Sequence, residues 1–291
     1  MRLLPMRLLF IFALLITVFS GCVKNNERPS WLKVNKWVLQ SNPALSGELG
    51  ELTENFKEAW VYVNDEVIGV FQVPFTIPIL KKGLVNIKLY PTIRNNGISA
   101  SKKIYPFVKE FNFSGTLVQD DTLEITPTTM YKEGLTIWKE DFEDINIKIE
   151  NDPNTSMTTL GISNENTQPF NGVNYGKVTL NSTDSLWVAY TQAINLPKGR
   201  EVYLEIDYLT TNNVTTGLIF VSPQGVQNNI YIRLNAQEEG ATNWKKIYID
   251  LRELVGAAPA NSEFRPSFFA MIDPGKTLTT IRLDNIKVIY L

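Results

Sequence analysis

Histidine is absent from all 291 residues. That removes Ser-His-Asp and Cys-His catalysis, most zinc sites and the commonest general base near neutral pH. Carboxylate-only chemistry of the glycosidase kind is what remains open to an enzyme. Cysteine is almost absent: Cys22 stands alone, so no internal disulfide can form and stability has to come from packed cores. No long basic run is present and the formal net charge is -2. Nucleic acid and adhesion to anionic lipid through a basic patch are thereby disfavoured. There is no Walker loop, zinc-ligand spacing or dinucleotide fingerprint, and the glycines are scattered through turns.

What is present is ordinary globular chemistry. The chain is 44% hydrophobic and 20% charged, so it can bury a core and disorder is not the default. The first stretch reads as a leader. Arg2 and Arg7 supply a positive end, and Leu8 to Phe19 is a run of twelve apolar or small residues. A bilayer-spanning helix needs about 20, so a secretory signal is the better reading. Ser20 and Gly21 are the small residues before a cut.

Phe19 to Cys22 (FSGC) resembles the lipobox of bacterial lipoproteins. The resemblance implies a signal peptide over residues 1–21, a diacylglyceryl thioether on Cys22 and acylation of the freed amine. Acyl chains contribute about 0.8 kcal/mol per buried CH2, enough together for firm anchoring. Phe19 departs from the usual Leu. No Asp follows the cysteine, and by the same resemblance the outer membrane is the expected address, on its periplasmic or cell-surface face. A plain secretory signal with a chance cysteine is the alternative. Residues 22–30 are polar, include Pro29, and read as a lipidated tether.

Beyond the tether the pattern is all-β. Trp31 to Leu39 is a first strand candidate. Ala59 to Val63 and Val67 to Phe71 flank the turn signal Asn64-Asp65 and make a hairpin. Phe75 to Leu80 and Leu84 to Tyr90 are expected to pair across Lys81 to Gly83. The run from Ala59 to Leu89 resembles PEGA-like β-sandwich repeats of surface proteins, which implies a sandwich over residues 31–130. The overall layout is similar to lipoproteins of the Bacteroidetes.

Residues 131–134 (YKEG) read as a boundary. Past it the strands lengthen. Val202, Leu204, Ile206 and Tyr208 point one way and Tyr203, Glu205 and Asp207 the other. Lys246, Tyr248 and Asp250 alternate with Ile247, Ile249 and Leu251. This period of two predicts half-buried antiparallel strands. A short helix is expected around Leu251 to Val255. Ile281 and Leu283 are out of phase with Ile286, Val288 and Tyr290, so a bulge is predicted at Asp284-Asn285.

Trp138 to Asp144 (WKEDFED), Asn243 to Leu251 (NWKKIYIDL) and Ile281 to Tyr290 (IRLDNIKVIY) resemble three strands of the galactose-binding-like jelly rolls, the fold of many carbohydrate-binding modules. The resemblance frames residues 135–291 and implies two β-sandwiches in tandem. It also implies a possible structural calcium site at Asp141, Glu143 and Asp284. Such an ion needs six to eight oxygens and no histidine; solvated strand-end acids are the alternative. No cofactor is required.

Trp187, Tyr190, Tyr231 and Trp244 lie on or beside predicted strands and form a candidate sugar platform, with Asn- and Thr-rich segments nearby. The alternative is that they fill the core. Asp121 to Leu123 and Asp184 to Leu186 resemble O-glycosylation signals of exported Bacteroidetes proteins. The lipobox-like leader, the two β-sandwich resemblances and the missing catalytic residues point to a non-catalytic envelope module that binds glycan or protein. The alternatives are a structural subunit of an outer-membrane complex and, remotely, a carboxylate-based glycoside hydrolase.

Overall fold

The computed structural model describes residues 28–291 apart from Ser46 and residues 166–171. The leader, Cys22 and most of the tether lie outside the described residues.

In the N-terminal half, strands β1 (Ser30–Val34) and β2 (Val38–Leu39) replace the single strand expected over Trp31 to Leu39. They join different sheets because Trp37 turns inward, where its Nε1 donates to the Glu58 carbonyl at 3.2 Å. Strands β3 (Glu58–Val63) and β4 (Glu66–Gln72) form the expected hairpin. Its Asn64 and Asp65 both sit at positive φ, 52° and 62°, as a type I′ turn requires.

Strand β5 (Phe75–Ile79) does not pair with β6 (Gly83–Arg94), which corrects the expected second hairpin. β5 lies along β1, while β6 lies along β3, β7 (Lys102–Ile104) and β8 (Phe111–Leu117). The link through Lys81 and Lys82 crosses between layers, so Ile79 meets Val85 and Ile87 in the core rather than along an edge. Strand β9 (Thr122–Ile125) pairs parallel to β1, and β10 (Thr128–Thr129) pairs parallel to β2.

The C-terminal half is a two-layer jelly roll. One layer runs in the order β13 (Gly161–Ser163), β14 (Tyr175–Asn181), β21 (Leu278–Tyr290), β16 (Val202–Thr210), β19 (Lys245–Asp250), with β11 (Thr136–Glu140) also on β21. The other runs β12 (Ile149–Asn151), β15 (Leu186–Thr191), β20 (Glu263–Met271), β17 (Val214–Ser222), β18 (Gly225–Leu234). All its pairings are antiparallel. A single helical turn and a half, α1 (Arg252–Ala257), covers one end. Between the layers Leu204, Ile206, Leu283 and Val288 pack with Phe264, Phe268 and Trp187.

The predicted bulge is present. Glu205 pairs with Lys287 but Asp207 pairs with Asp284, and Asn285 in the extra length sits at φ 46°. An Asn tolerates that left-handed position better than most residues.

Half-burial of β16 and β19 is the expectation that fails. All nine residues of β16 are buried, polar and apolar alike. The outer face of the six-stranded layer is covered by the N-terminal half, whose core takes in Tyr203, Tyr248 and Ile289. Tyr248 stacks on Phe56 with centroids 5.9 Å apart and lies 4.8 Å from Tyr105. Asn95 bridges to Tyr248 beside the edge strand β19, and Asn96 accepts from the Asp250 amide at 2.8 Å.

The charges on this covered face are largely engaged, although Asp207 Oδ1 has only Lys246 Nζ at 3.6 Å beside it. Glu205 accepts from the Tyr105 hydroxyl, from Tyr131 at 2.9 Å and from Lys246 Nζ at 2.8 Å. Thr53 donates to Asp207 at 2.5 Å, and Lys287 Nζ donates to the Glu51 carbonyl at 2.7 Å. Burial raises the Glu205 pKa, but the charges of Lys246 and Lys287 and the hydrogen bonds outweigh it, so the group is held below its ordinary value.

Candidate functional site

The four aromatic candidates do not form one platform. Trp187 is fully buried, stacks on Phe268 at 5.8 Å and donates through Nε1 to Asn151 Oδ1 at 3.0 Å. It is a core residue, which corrects its assignment to a sugar platform. Tyr190 is three residues further on the same strand and therefore faces the opposite way. Tyr231 is half-buried where the two halves meet, and its hydroxyl accepts from Asn96 Nδ2 at 3.3 Å. Trp244 precedes β19, sets its edge against Tyr175 at 5.9 Å and lines a separate cavity between the halves.

The three acids of the expected calcium site do not make a ligand set. Asp141 engages Lys139, and Glu143 accepts from the amides of Val173 at 2.7 Å and Asn174 at 2.9 Å. Asp284 is buried, with Oδ1 on the Asn285 amide at 2.8 Å. Among the described residues no group of three or more acids is placed to hold a metal ion. Asp284 Oδ2 and both polar atoms of the Asn285 side chain have no hydrogen-bond partner there. Burial, then the negative charges of Asp207, Glu143 and Asp141, push the Asp284 pKa to about 8 against the pull of the Asn285 amide.

Glu205 and Asp207 are fully buried and tied to Lys246, so no substrate reaches that pair of acids. Of the two Asp-Ser/Thr-hydrophobic motifs, Thr122 is exposed at the start of β9 and Ser185 is half-buried before β15.

The open surface of the jelly roll is the outer face of the five-stranded layer. Strand register lays out one row across all five strands: Glu150, Tyr190, Ser267, Gly217 and Ile230. On one side of it lies Val188, Phe269, Thr215 and Arg233. On the other lies Arg265, Ile219 and Asn228. Strands about 4.8 Å apart make this face about 19 Å wide.

Its chemistry is mixed in a particular way. The Arg265 guanidinium sits over the Tyr190 ring at 5.4 Å, an arrangement that fixes both side chains. Arg265 Nε is buried with no acceptor among the described residues. Phe269 is 42% exposed beside this pair and Ile230 is 72% exposed across it. Ser267 Oγ reaches Asn228 Oδ1 at 3.3 Å. Gly217 keeps the floor flat: a Cβ there would lie 2.7 Å from both the Asn229 carbonyl and Ser267 Oγ. A flat floor, an aromatic ring braced by a guanidinium, and scattered amide and hydroxyl groups suit a ligand with both apolar faces and hydroxyls.

Sequence reasoning found Tyr190 but missed Arg265, Ser267 and Phe269. The signal was there, since these three alternate along β20 opposite to Phe264, Phe268 and Ala270. Gly217 and Asn228 carried no local signal.

No family model matches the chain, and no curated protein matches it. Solved structures do align. One is the enzymatically active domain of bacteriophage CBA120 tailspike protein 4, at 12% identity and TM-score 0.35, covering 54% of this chain and 19% of that one. A second is a carbohydrate-binding module of the β-sandwich superfamily studied for promiscuous specificity, at 13% identity and TM-score 0.35, covering 79% and 84%. A third is the family 11 carbohydrate-binding module of the cellulosomal cellulase Lic26A-Cel5E of Clostridium thermocellum, at 15% identity and TM-score 0.35, covering 53% and 94%. At such TM-scores these likenesses carry no weight for what this chain does; its own geometry has to do so.

Proposed function

We propose that the chain is a non-catalytic glycan-binding module of the bacterial envelope, held at the outer membrane by lipid on Cys22. It binds saccharide across the outer face of the five-stranded layer. The observation that carries this reading is Arg265: a buried Nε without an acceptor among the described residues, beside a tyrosine ring that the same guanidinium braces. An unmet buried donor costs about 1–3 kcal/mol, which a ligand hydroxyl at that point recovers. The Tyr190 and Phe269 rings offer the apolar surface that a pyranose face covers.

The missing histidine and the sealing of Glu205 and Asp207 support a module that holds its ligand without transforming it. A second reading, a structural subunit docked on a partner protein, draws on the exposed Val226, Ile230, Phe269 and Met271 of the same layer.

A glycan array followed by NMR titration tests the first reading. Neutral oligosaccharides are expected to bind, and Tyr190→Ala or Arg265→Ala to weaken them at least about tenfold. An array empty for the folded protein, with a protein partner captured through Phe269 and Met271, moves the assignment to the second reading. Cys22→Ser is expected to release the chain from the membrane fraction; a variant still processed and membrane-bound overturns the anchor.

A further inference from the structure

A cavity of about 530 Å³ opens between the two halves, away from the face just described. Trp244, Tyr208 and Asn235 line it from the C-terminal half, and Asn55, Lys57 and Arg94 from the N-terminal half. It exists because the turn through Asn95 and Gly97 docks beside the edge strand β19 while the loop carrying Asn55 docks further along it. Asn55 pins that loop twice, donating from Nδ2 to the Lys246 carbonyl at 2.8 Å and from its amide to the Tyr248 hydroxyl at 3.0 Å. The walls are therefore fixed by the junction itself.

The charge in this cleft runs against the chain as a whole. Lys57 and Lys245 make no salt bridge among the described residues, and both are exposed at the cleft. Arg94 engages Glu58 through Nε at 3.1 Å, and its two terminal nitrogens make no salt bridge among the described residues. Lys246 also reaches the lining but is spent on Glu205 and Asp207. A smaller cavity of about 150 Å³ shares Glu54, Asn55 and Lys57 and adds Lys36.

The one acid in the lining is Glu54, which accepts from the Phe56 amide at 2.6 Å. Burial raises its pKa, against the pull of the Phe56 amide and of the Lys57, Lys246 and Lys36 charges. In a chain of net charge -2, a walled recess lined by Lys57, Arg94 and Lys245 against one carboxylate is a local reversal of sign. Low-dielectric walls focus such a field on an anion.

The Trp244 ring and two amides specify more than charge, while Tyr208 is largely buried and only reaches the lining. Burial raises the Tyr208 pKa, so its hydroxyl remains a donor. A bare inorganic anion makes no use of flat apolar surface, whereas a sugar ring bearing a carboxylate uses every element present.

We propose that this cleft binds an acidic saccharide, a hexuronate, with its carboxylate between Lys57, Arg94 and Lys245 and its ring against Trp244. The site is separate from the five-stranded face and stands whether or not that face binds neutral glycan.

Calorimetry on the purified full chain, with trigalacturonate and trigalactose as probes, tests this. Trigalacturonate is expected to bind, and the double variant Lys57→Glu/Lys245→Glu to weaken it about tenfold or more. Raising salt from about 50 to about 500 mM is expected to weaken it several-fold, and Tyr190→Ala to leave it unchanged. Both lysines are exposed and make no salt bridge among the described residues, so the double variant is expected to fold, which a matching circular dichroism melt checks. No binding of trigalacturonate at about 5 mM overturns the inference. So does equal affinity for trigalactose, insensitivity to the double reversal, or loss of binding in Tyr190→Ala alone.

Discussion

The two outer faces of the jelly roll are written in the same alphabet and meet opposite fates. β16 places Tyr203, Glu205 and Asp207 on one face, and β20 places Arg265, Ser267 and Phe269 on one face. In both strands the other face packs the same core. Yet the β16 face lies under the N-terminal half with its charges cross-paired, while the β20 face keeps Phe269 exposed and Arg265 Nε without an acceptor. Polar alternation therefore says which residues share a face. Whether that face meets water, ligand or another part of the chain is settled by what docks on it.

The sharpest way to break this comparison is at Lys246. Lys246→Met leaves Glu205 and Asp207 buried beside each other without the cation that contacts both. A loss of about 3–5 kcal/mol is expected in urea unfolding. A loss under about 1 kcal/mol would mean that water reaches the covered face.

The next effect is at Asp284. Its folded pKa of about 8 lies above the ordinary 3.8, so the fold favours the protonated form. The stability this supports is complete below pH 3.8 and drains away as pH rises toward 8, ideally by about 1 kcal/mol per unit. Lys287 has the opposite sign. Burial, then the Lys246 charge, lowers its pKa to about 8 from 10.5, so its contribution is present above 10.5 and lost as pH falls through 8. These two groups together predict a stability minimum near pH 8. Asp284→Asn is expected to remove the acid-side slope, making the variant progressively more stable than the parent between pH 4 and 8, as read by denaturation at each pH.

On the open face the expectation inverts. Tyr190→Ala and Arg265→Ala change stability by about 1 kcal/mol or less, because both are only half-buried, while removing glycan affinity. If either costs as much as Lys246→Met, the five-stranded face is structural and the distinction between the faces fails.

Much of the fold was legible in the sequence. The Asn64-Asp65 hairpin, the helical turn after Leu251 and the bulge at Asp284-Asn285 follow from local rules, namely turn chemistry and the period of two. The partner of β5 was not legible, because a three-residue link serves a hairpin or a layer crossing equally well until the cores of both sheets are placed. The candidate site was legible in part. Tyr190 stands out as an aromatic on a strand, but so does Trp187, and only strand phase relative to the core separates them. Arg265 and Gly217 come to Tyr190 through cross-strand register, which one sequence does not display.

By itself the sequence determined the chemistry that is ruled out, the β periodicity and which side chains share a face, since these depend on residue type and on neighbours one or two positions away. The tertiary structure decided which face is sealed, which is open, and which cavity Lys57, Arg94, Lys245 and Trp244 line together. Burial and local field arise from segments roughly 150 residues apart meeting at one sheet, and no local pattern carries that meeting.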